Sequence, residues 1–548
     1  NMPEDFWVHA VTAAVCGRLG RREEALAALE SLRRLLPGYR DELGPALGLW
    51  IADTAIVEQV MEGMAEAEVL VGSPSREATP PPAADTQSVR SEAPSIAVLP
   101  FANLSPDPEN QYFSDGLSEE IINALTRLPG LRVIARTSSF RFRGEHDLKK
   151  VGEALGVRTL LEGSVRKAGQ RLRITAQLID VSDDSHIWSE RFDRELDDVF
   201  AIQDEISAAI VEKLHLSLGA GQPETRERAN VEAFEALLEG RHHFSQFTPD
   251  SAERALGCLD RALSLEPDYP DALVLHAFYH LMRAYMFVDP REALPETRRL
   301  AERALELDPH HGEAQATVAV ATVMLDWDWA TADRLFRRAL ELAPGSARVH
   351  ELYGLCGLLG RGRLDQALAE LDRAVELDPL SALYAGNRGR VLTCSRRFAE
   401  AEESCRRGLV LDPGQLLAQV ELMYALTFQG RFEEAATLGR RAIEAHGRTK
   451  APLHALAVSL AVAGQREEAQ QLLEQADGGP YQSPLTLGLV HAISGERDAA
   501  FESGARAIDH HDPMLMYLDV HPLFDALRAA PRNSALRRRV NLAQIDRP

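Results

Sequence analysis

The cleanest alternation in the chain is at Arg171–Asp180. Leu172, Ile174, Ala176 and Leu178 face one way, and Arg171, Arg173, Thr175 and Gln177 the other. A period of two predicts a half-buried strand. Its surroundings complete an α/β unit over Ser95–Leu218. Ser95–Phe101 is a short apolar run, stopped by Pro100 and the turn-rich NLSPDPEN. Leu117, Ile121, Ile122, Leu125 and Leu128 recur at helical spacing ahead of Pro129 and Gly130. Leu131–Ala135 reads as a second strand, and Leu148, Val151 and Leu155 as a second helix closed by Gly156. Strands follow around Arg158–Val165 and Ser185–Phe192, and a last helix carries Val199, Ile202, Ile206, Ile210 and Leu214 on one stripe. The order β-α-β-α-β-β-β-α predicts a sheet with one face covered by helices.

From about Asn230 the period changes to that of paired helices. Small residues recur at Ala255, Thr297, Ala332, Ala367, Ala401, Ala435, Ala469 and Ala500, at intervals of 42, 35, 35, 34, 34, 34 and 31. Prolines close the units at Pro267, Pro309, Pro344, Pro379 and Pro413. Small side chains let antiparallel helices approach, and proline stops the second helix of each pair. The spacing is that of tetratricopeptide repeats, roughly 34 residues, and predicts about eight helix pairs over 230–510 with a helical cap over 511–548.

Ahead of the α/β unit, Pro3–Leu70 is helical, with a repeat-like punctuation at Gly20, Ala25 and Pro37. Gly72–Pro94 (GSPSREATPPPAADTQSVRSEAP) has no apolar period and reads as a linker. The expected organisation is a repeat-like helical segment at 1–71, a linker at 72–94, the α/β domain at 95–219, the solenoid and the cap. The stretch GAGQPETRER after Leu218 is expected to join two separable folding units near Gly219–Thr225.

The segments IAVLPFANLSPDPENQYFSDGLSEEI, LRVIARTSSFRFRG and LLEGSVRKAGQRLRITAQLIDVSDDSHIWSERFDRELDDVFAIQDEI resemble the TolB-like N-terminal domain of bacterial regulatory proteins. That resemblance implies a multidomain protein in which the domain precedes a tetratricopeptide array and follows an effector. The effector is a class III nucleotide cyclase, a Ser/Thr kinase or a winged-helix DNA-binding domain. It implies no catalytic residue within the α/β domain. The effector is expected to be missing here, with a remnant of a repeat array in its place.

Charge and chemistry narrow the reading. With 83 acidic against 60 basic side chains the net charge is −23, which argues against general nucleic-acid binding. Cys16, Cys258, Cys356, Cys394 and Cys405 are odd in number and scattered, which points to a reducing, cytoplasmic setting without disulfides or metal. No apolar run approaches a membrane span. No phosphate-cradling, nucleophile-elbow, zinc-peptidase or kinase motif is present. Ser164 and Lys167 fit S-x-x-K but span a strand end and turn. The pairs His242–His243, His310–His311 and His510–His511 read as surface or cap residues, because neighbours on a helix diverge by about 100°. The run Arg537–Arg539 reads as a solvated terminal face, and Trp188 as sheet packing.

One place in the array departs from pattern. Arg388 falls where the repeat has a core Leu, and Asn387, Arg388 and Arg390 put donors near the helix face where a solenoid can hold an extended peptide. Arg388 is expected to serve the scaffold, and Arg390 to stay free for a ligand carboxylate. Two functions follow. The first is a non-enzymatic scaffold that binds a protein or peptide through the repeats, without cofactor and with a homodimer possible. The second is the regulatory part of a signalling cyclase or kinase; a transcriptional regulator is a weaker third.

Overall fold

A computed structural model describes residues 94–542 apart from 108–109, 129, 146, 196–198, 215–229, 245–248, 287, 447–449, 475–482 and 530–531, together with positions 10, 12–14, 26, 28, 29, 32 and 60. The chain divides into two compact units, Asn1–Ser91 and Glu92–Pro548. In the first, the described positions are helical, and Leu29 and Leu32 are fully buried. The rest of the expected 1–71 segment, the linker as far as residue 93 and the join at 219–225 lie outside the described residues.

The second unit begins with β1 (Ser95–Val98), β2 (Ala102–Asn103), α1 (Gln111–Thr126), β3 (Arg132–Ile134), the single turn α2 (Arg136–Ser139) and α3 (Leu148–Leu155). Then come β4 (Thr159–Ala168), β5 (Arg171–Asp180), β6 (Ser185–Glu195) and α4 (Val199–Lys213). The sheet order is β3-β1-β4-β5-β6, with β2 beside β4. β1 runs parallel to β3 and β4, with Ile96 opposite Val133 and Thr159. β4, β5 and β6 form antiparallel ladders, with Ile174 between Val165 and Phe192.

β1 is apolar at both phases of its alternation, and it divides the core. Ile96 and Val98 pack with Leu117 and Ile121 of α1 and Ile202 and Ile206 of α4. Ala97 and Leu99 pack on the opposite side with Val151 and Leu155 of α3. The parallel strands are therefore covered on both faces, as parallel strands usually are. This corrects the expectation of a single covered face. The sheet opens only towards β6: Leu172, Ile174, Ala176 and Leu178 are fully buried, whereas Arg171 and Arg173 are exposed.

The repeats follow as α5 (Val231–Phe244) with α6 (Pro249–Leu265), α7 (Pro270–Met286) with α8 (Pro290–Leu307), and α9 (Gly312–Asp326) with α10 (Trp329–Leu342). The fourth pair is α11 (Ala347–Leu352), prolonged by a π-helical turn at Tyr353–Leu358, with α12 (Leu364–Leu377). Then come α13 (Ala382–Cys394) with α14 (Phe398–Leu411), α15 (Leu416–Phe428) with α16 (Phe432–His446), α17 (Lys450–Val462) with α18 (Arg466–Glu474), and α19 (Pro484–Ser494) with α20 (Arg497–Asp509). Among the described residues these are eight pairs, resembling a tetratricopeptide solenoid in helix length and spacing. The recurring small residues sit where helices cross: Ala332, Ala367, Ala401 and Ala435 are all fully buried. Helix starts are fixed by side-chain caps, with Ser346 accepting from the Val349 amide and Ser381 from the Tyr384 amide.

The α/β domain and the repeats fall within one compact unit. Phe234 and Leu238 of α5 belong to the core of the sheet. The Phe113 and Phe234 rings meet edge to face at 6.2 Å. Gly116 allows the close approach of α1, since a Cβ there would run into Leu238. Beyond α5, the domain rests on the turns between successive pairs. The Gly345 amide donates to the Thr126 carbonyl at 3.3 Å, and the Ala135 amide to the Leu377 carbonyl at 2.8 Å. The Ser138 hydroxyl donates to Asp378 at 2.5 Å and accepts from the Leu380 amide at 2.7 Å.

The opposite edge, made of the turns within pairs, is covered by the C-terminal segment. Past α20 this runs through short 3-10 turns at Pro513–Tyr517 and Pro522–Phe524 and two short helices, α21 (Asp525–Arg528) and α22 (Asn533–Arg539). Trp329 donates its indole N–H to the Val540 carbonyl at 2.9 Å, and Asn541 donates to the Trp327 carbonyl at 3.2 Å. Gly360 leaves room for the Met516 carbonyl, which would lie 2.7 Å from a Cβ there. Arg396 forks onto Asp525 through two bonds of 2.7 Å. Leu515, Met516, Tyr517 and Leu518 are fully buried.

The shared core predicts an effect across the domain boundary. Leu238→Ala, in a repeat helix, should cost about 2–5 kcal/mol and loosen the sheet. Hydrogen exchange at β1 and α1 should accelerate along with that of α5. Acceleration confined to α5 would mean the domains are energetically separate.

Candidate functional site

Where the first helices of successive pairs lie side by side, charged and polar side chains meet in a row that is deeply buried at Glu351, Arg390 and Glu421 and about a third exposed at Glu313 and Arg348. It starts in the α/β domain, where Glu120 of α1 takes a 2.5 Å bond from Arg241 of α5. Asp271 of α7 lies 3.1 Å from His311, whose other ring nitrogen caps α9 by accepting from the Ala314 amide at 3.3 Å. Glu313 of α9 accepts from Arg348 of α11 at 3.1 Å and from Ser346 at 3.0 Å. Glu351 of α11 accepts from Asn387 of α13 at 2.5 Å. Arg390 of α13 donates to Glu421 of α15 at 2.8 Å. The row ends under the C-terminal segment, with the Arg390 guanidinium 5.6 Å from the centre of the Tyr517 ring.

Burial sets the electrostatics. Glu421 is 0% exposed, Glu351 7% and Arg390 8%. Arginine keeps its charge in any protein environment, so Arg390 needs a counter-charge. Glu421 supplies it, although burial pushes the Glu421 carboxyl upward against the pull of Arg390. Glu351 is pushed up to about 7 by burial, with Arg348, Arg390 and the Asn387 amide pulling the other way. Burial thus brings the titration of Glu351 near neutrality.

The three groove candidates divide within this arrangement. Asn387 and Arg390 lie one turn apart on the buried stripe of α13; Asn387 gives its donor back to the Glu351 carboxylate of α11, and Arg390 forward to the Glu421 carboxylate of α15. Arg388 points away, onto Asp372 of α12 at 2.6 Å, and keeps 29% of its side chain exposed. The roles expected of the two arginines are thus exchanged. Arg390 is the scaffold residue and Arg388 the accessible one, because residues two apart on a helix leave in nearly opposite directions. Glu351, Glu421 and Tyr517 were not singled out in the sequence. For the pairs within the array a signal exists. Glu313 and Arg348 are 35 positions apart, Glu351 and Asn387 36, and Arg390 and Glu421 31, each about one repeat.

The other chemical candidates have structural occupations. Lys167 ion-pairs with Glu235 of α5, and its ammonium lies 5.2 Å from the centre of the Phe113 ring. His510 meets Asp289 at 3.0 Å, and His511 donates to the Met324 carbonyl at 2.9 Å. Arg537 forks onto Asp519, and Trp188 packs against Phe192 with ring centres 6.5 Å apart. Among the described residues no group of three or more His, Cys, Asp or Glu is placed to hold a metal ion, and no helix is long and apolar enough to cross a membrane.

Against known proteins, residues 91–209 match the family of the HilA/YgeH-like transcriptional regulator, second domain. The chain is 40% identical over 266 residues to a Rhizobium meliloti (strain 1021) protein named "Putative adenylate cyclase 3", covering 46% of this chain and 44% of that one. It is 23% identical over 291 residues to "Transcriptional regulator HilA" of Salmonella typhimurium, covering 52% of this chain and 51% of that one. The chain thus spans about half the length of these relatives. Among solved structures, the APC/C hetero-tetramer Cut9-Hcn1 aligns with 64% of this chain and 73% of its own at 16% identity and a TM-score of 0.37.

Two outcomes follow from the row. Arg390→Ala strands Glu421 without its counter-charge and should cost about 3–5 kcal/mol, whereas Arg390→Met with Glu421→Leu should recover most of that loss. Arg388→Ala breaks a half-exposed pair and should cost under about 1 kcal/mol. Denaturant unfolding of the three variants distinguishes them, and equal losses from the two single changes would contradict the burial order.

The second outcome concerns pH. A carboxyl whose folded pKa exceeds its unfolded value contributes stability that is complete below the unfolded value. That contribution is lost as pH rises through the folded one. For Glu351 the window runs from 4.5 to about 7. The melting temperature of Glu351→Gln should therefore gain on that of the parent between pH 4.5 and about pH 7. A gap that stays constant across this range would contradict a buried, neutral Glu351.

Proposed function

We infer that this chain is a non-catalytic regulatory module of a bacterial signalling protein, in which a TolB-like α/β domain and a tetratricopeptide array relay partner binding as one rigid piece. The observation that carries this reading is the sealed junction. Glu120–Arg241, Ser138–Asp378 and the Leu238 contact tie the sheet to helices and turns from the first to the fifth pair. Partner contact on the array therefore bears directly on the domain. The likeness to a protein named as an adenylate cyclase supports a place beside a class III cyclase effector. The HilA-like match supports the same unit serving a DNA-binding effector. Of these the cyclase reading has the higher identity behind it.

The partner is a protein or peptide, and the array is its docking surface. Of the donors on α13, Arg388 is the one a partner carboxylate can reach, by exchange with the half-exposed Asp372. A charge-assisted bond of this kind is worth about 1.5–3 kcal/mol, or roughly ten- to hundred-fold in affinity. A photo-crosslinking residue placed at position 372, beside Arg388, should capture the partner from cells. Arg388→Glu in the same protein should abolish that capture while leaving the melting temperature unchanged. Capture indifferent to Arg388→Glu would remove this residue from the docking surface. Production of cyclic nucleotide by the purified chain itself would overturn the non-catalytic reading.

A further inference from the structure

β6 ends the sheet on the side away from β3, and among the described residues it pairs with β5 alone. It is 11 residues long, and every position except Ile187, Trp188 and Phe192 is exposed. An edge of this length offers a row of backbone donors and acceptors to any passing strand, and sheets commonly guard such edges with charge. The charges on β6 are not uniform but self-matching. Glu190 and Arg194 flank Phe192 on its own side of the sheet, while Arg191 and Asp193 flank it on the open side.

We propose that β6 pairs antiparallel with β6 of a second copy of this chain, about a two-fold axis at Phe192. In that register Glu190 of each copy faces Arg194 of the other, and Arg191 of each faces Asp193 of the other. Asp193 already accepts from Arg173 of its own chain at 2.6 Å on the open face. In the dimer it would lie between that guanidinium and a second one, from Arg191 of the other copy. Arg194 is 3.9 Å from Glu205 of α4 and would likewise lie between two carboxylates. The register is selected as well as permitted. Moving the axis to Arg191 sets two arginines against each other, and moving it to Asp193 sets two aspartates against each other; like charges directly opposite destabilise a ladder. The axis stands perpendicular to the sheet, so α4 stays on the same side in both copies and one continuous sheet results.

Sedimentation velocity on the full chain tests this. The parent should be a dimer. Glu190→Arg and Arg194→Glu should each place like charges at both 190–194 contacts and raise the dissociation constant on the order of ten-fold or more. Both positions are exposed, so circular dichroism spectra should match the parent's, and any fall in melting temperature should be no more than the loss of the dimer accounts for. An equimolar mixture of the two variants should form a heterodimer, because every 190–194 contact is then between opposite charges. The double change Glu190→Arg with Arg194→Glu should dimerise by itself. A monomeric parent, single variants that dimerise as tightly as the parent, or a mixture that stays monomeric would each overturn the proposal.

Discussion

An arginine with almost no water around it decides how this array is built. Arg390 cannot lose its proton, so its burial is tolerable only while Glu421 stands against it and Tyr517 seals the site from solvent. Those residues come from two different repeat helices and from the segment after the last repeat. The ion pair therefore couples the packing of adjacent pairs to the folding-back of the C-terminus. The same logic recurs at the head of the row, where Arg241 meets the buried Glu120 across the domain boundary, whereas the Arg348–Glu313 pair between them keeps about a third of each side chain exposed. Hydrophobic contacts supply most of the stabilisation in such a stack. The charges add a requirement that particular helices be neighbours.

The consequence is a solenoid held along both edges. The α/β domain sits on the turns between pairs, and the C-terminal segment on the turns within pairs. Stacked repeats usually exchange stability only with their nearest neighbours. Here Asp378, in one inter-repeat turn, is bonded to Ser138 of the α/β domain, 240 positions away. Trp329 is bonded to Val540, 211 positions away. Such contacts suit a part that transmits force or position better than one that flexes around each ligand it meets.

Much of this was legible in the sequence, and the reason is local. The strand at Arg171–Asp180 shows its alternation because one face of that sheet is open, and the helix pairs show their spacing because small residues must recur wherever helices cross. The two covered faces of β1 were less legible, since the apolar run Ile96–Leu99 looks the same whether one or two layers lie over it. The site was legible in composition but not in role. Asn387, Arg388 and Arg390 stood out as donors in an apolar helix. Whether such a donor faces a groove or a core depends on a segment more than a hundred positions later. Tyr517 carries no mark of that task. The partner carboxylates in the array did leave a trace, a recurrence of opposite charges about one repeat apart.

Hydrogen exchange of the intact chain in mild denaturant addresses the central claim most directly, that the C-terminal segment and the array fold as one sealed body. Amides of Leu515–Leu518 and of the buried stripe of α13 should lose protection together, with the same dependence on denaturant. Exchange of the 515–518 amides in seconds, while α13 stays protected, would show the segment to be a loose cover, and the buried ion pair would then need another explanation.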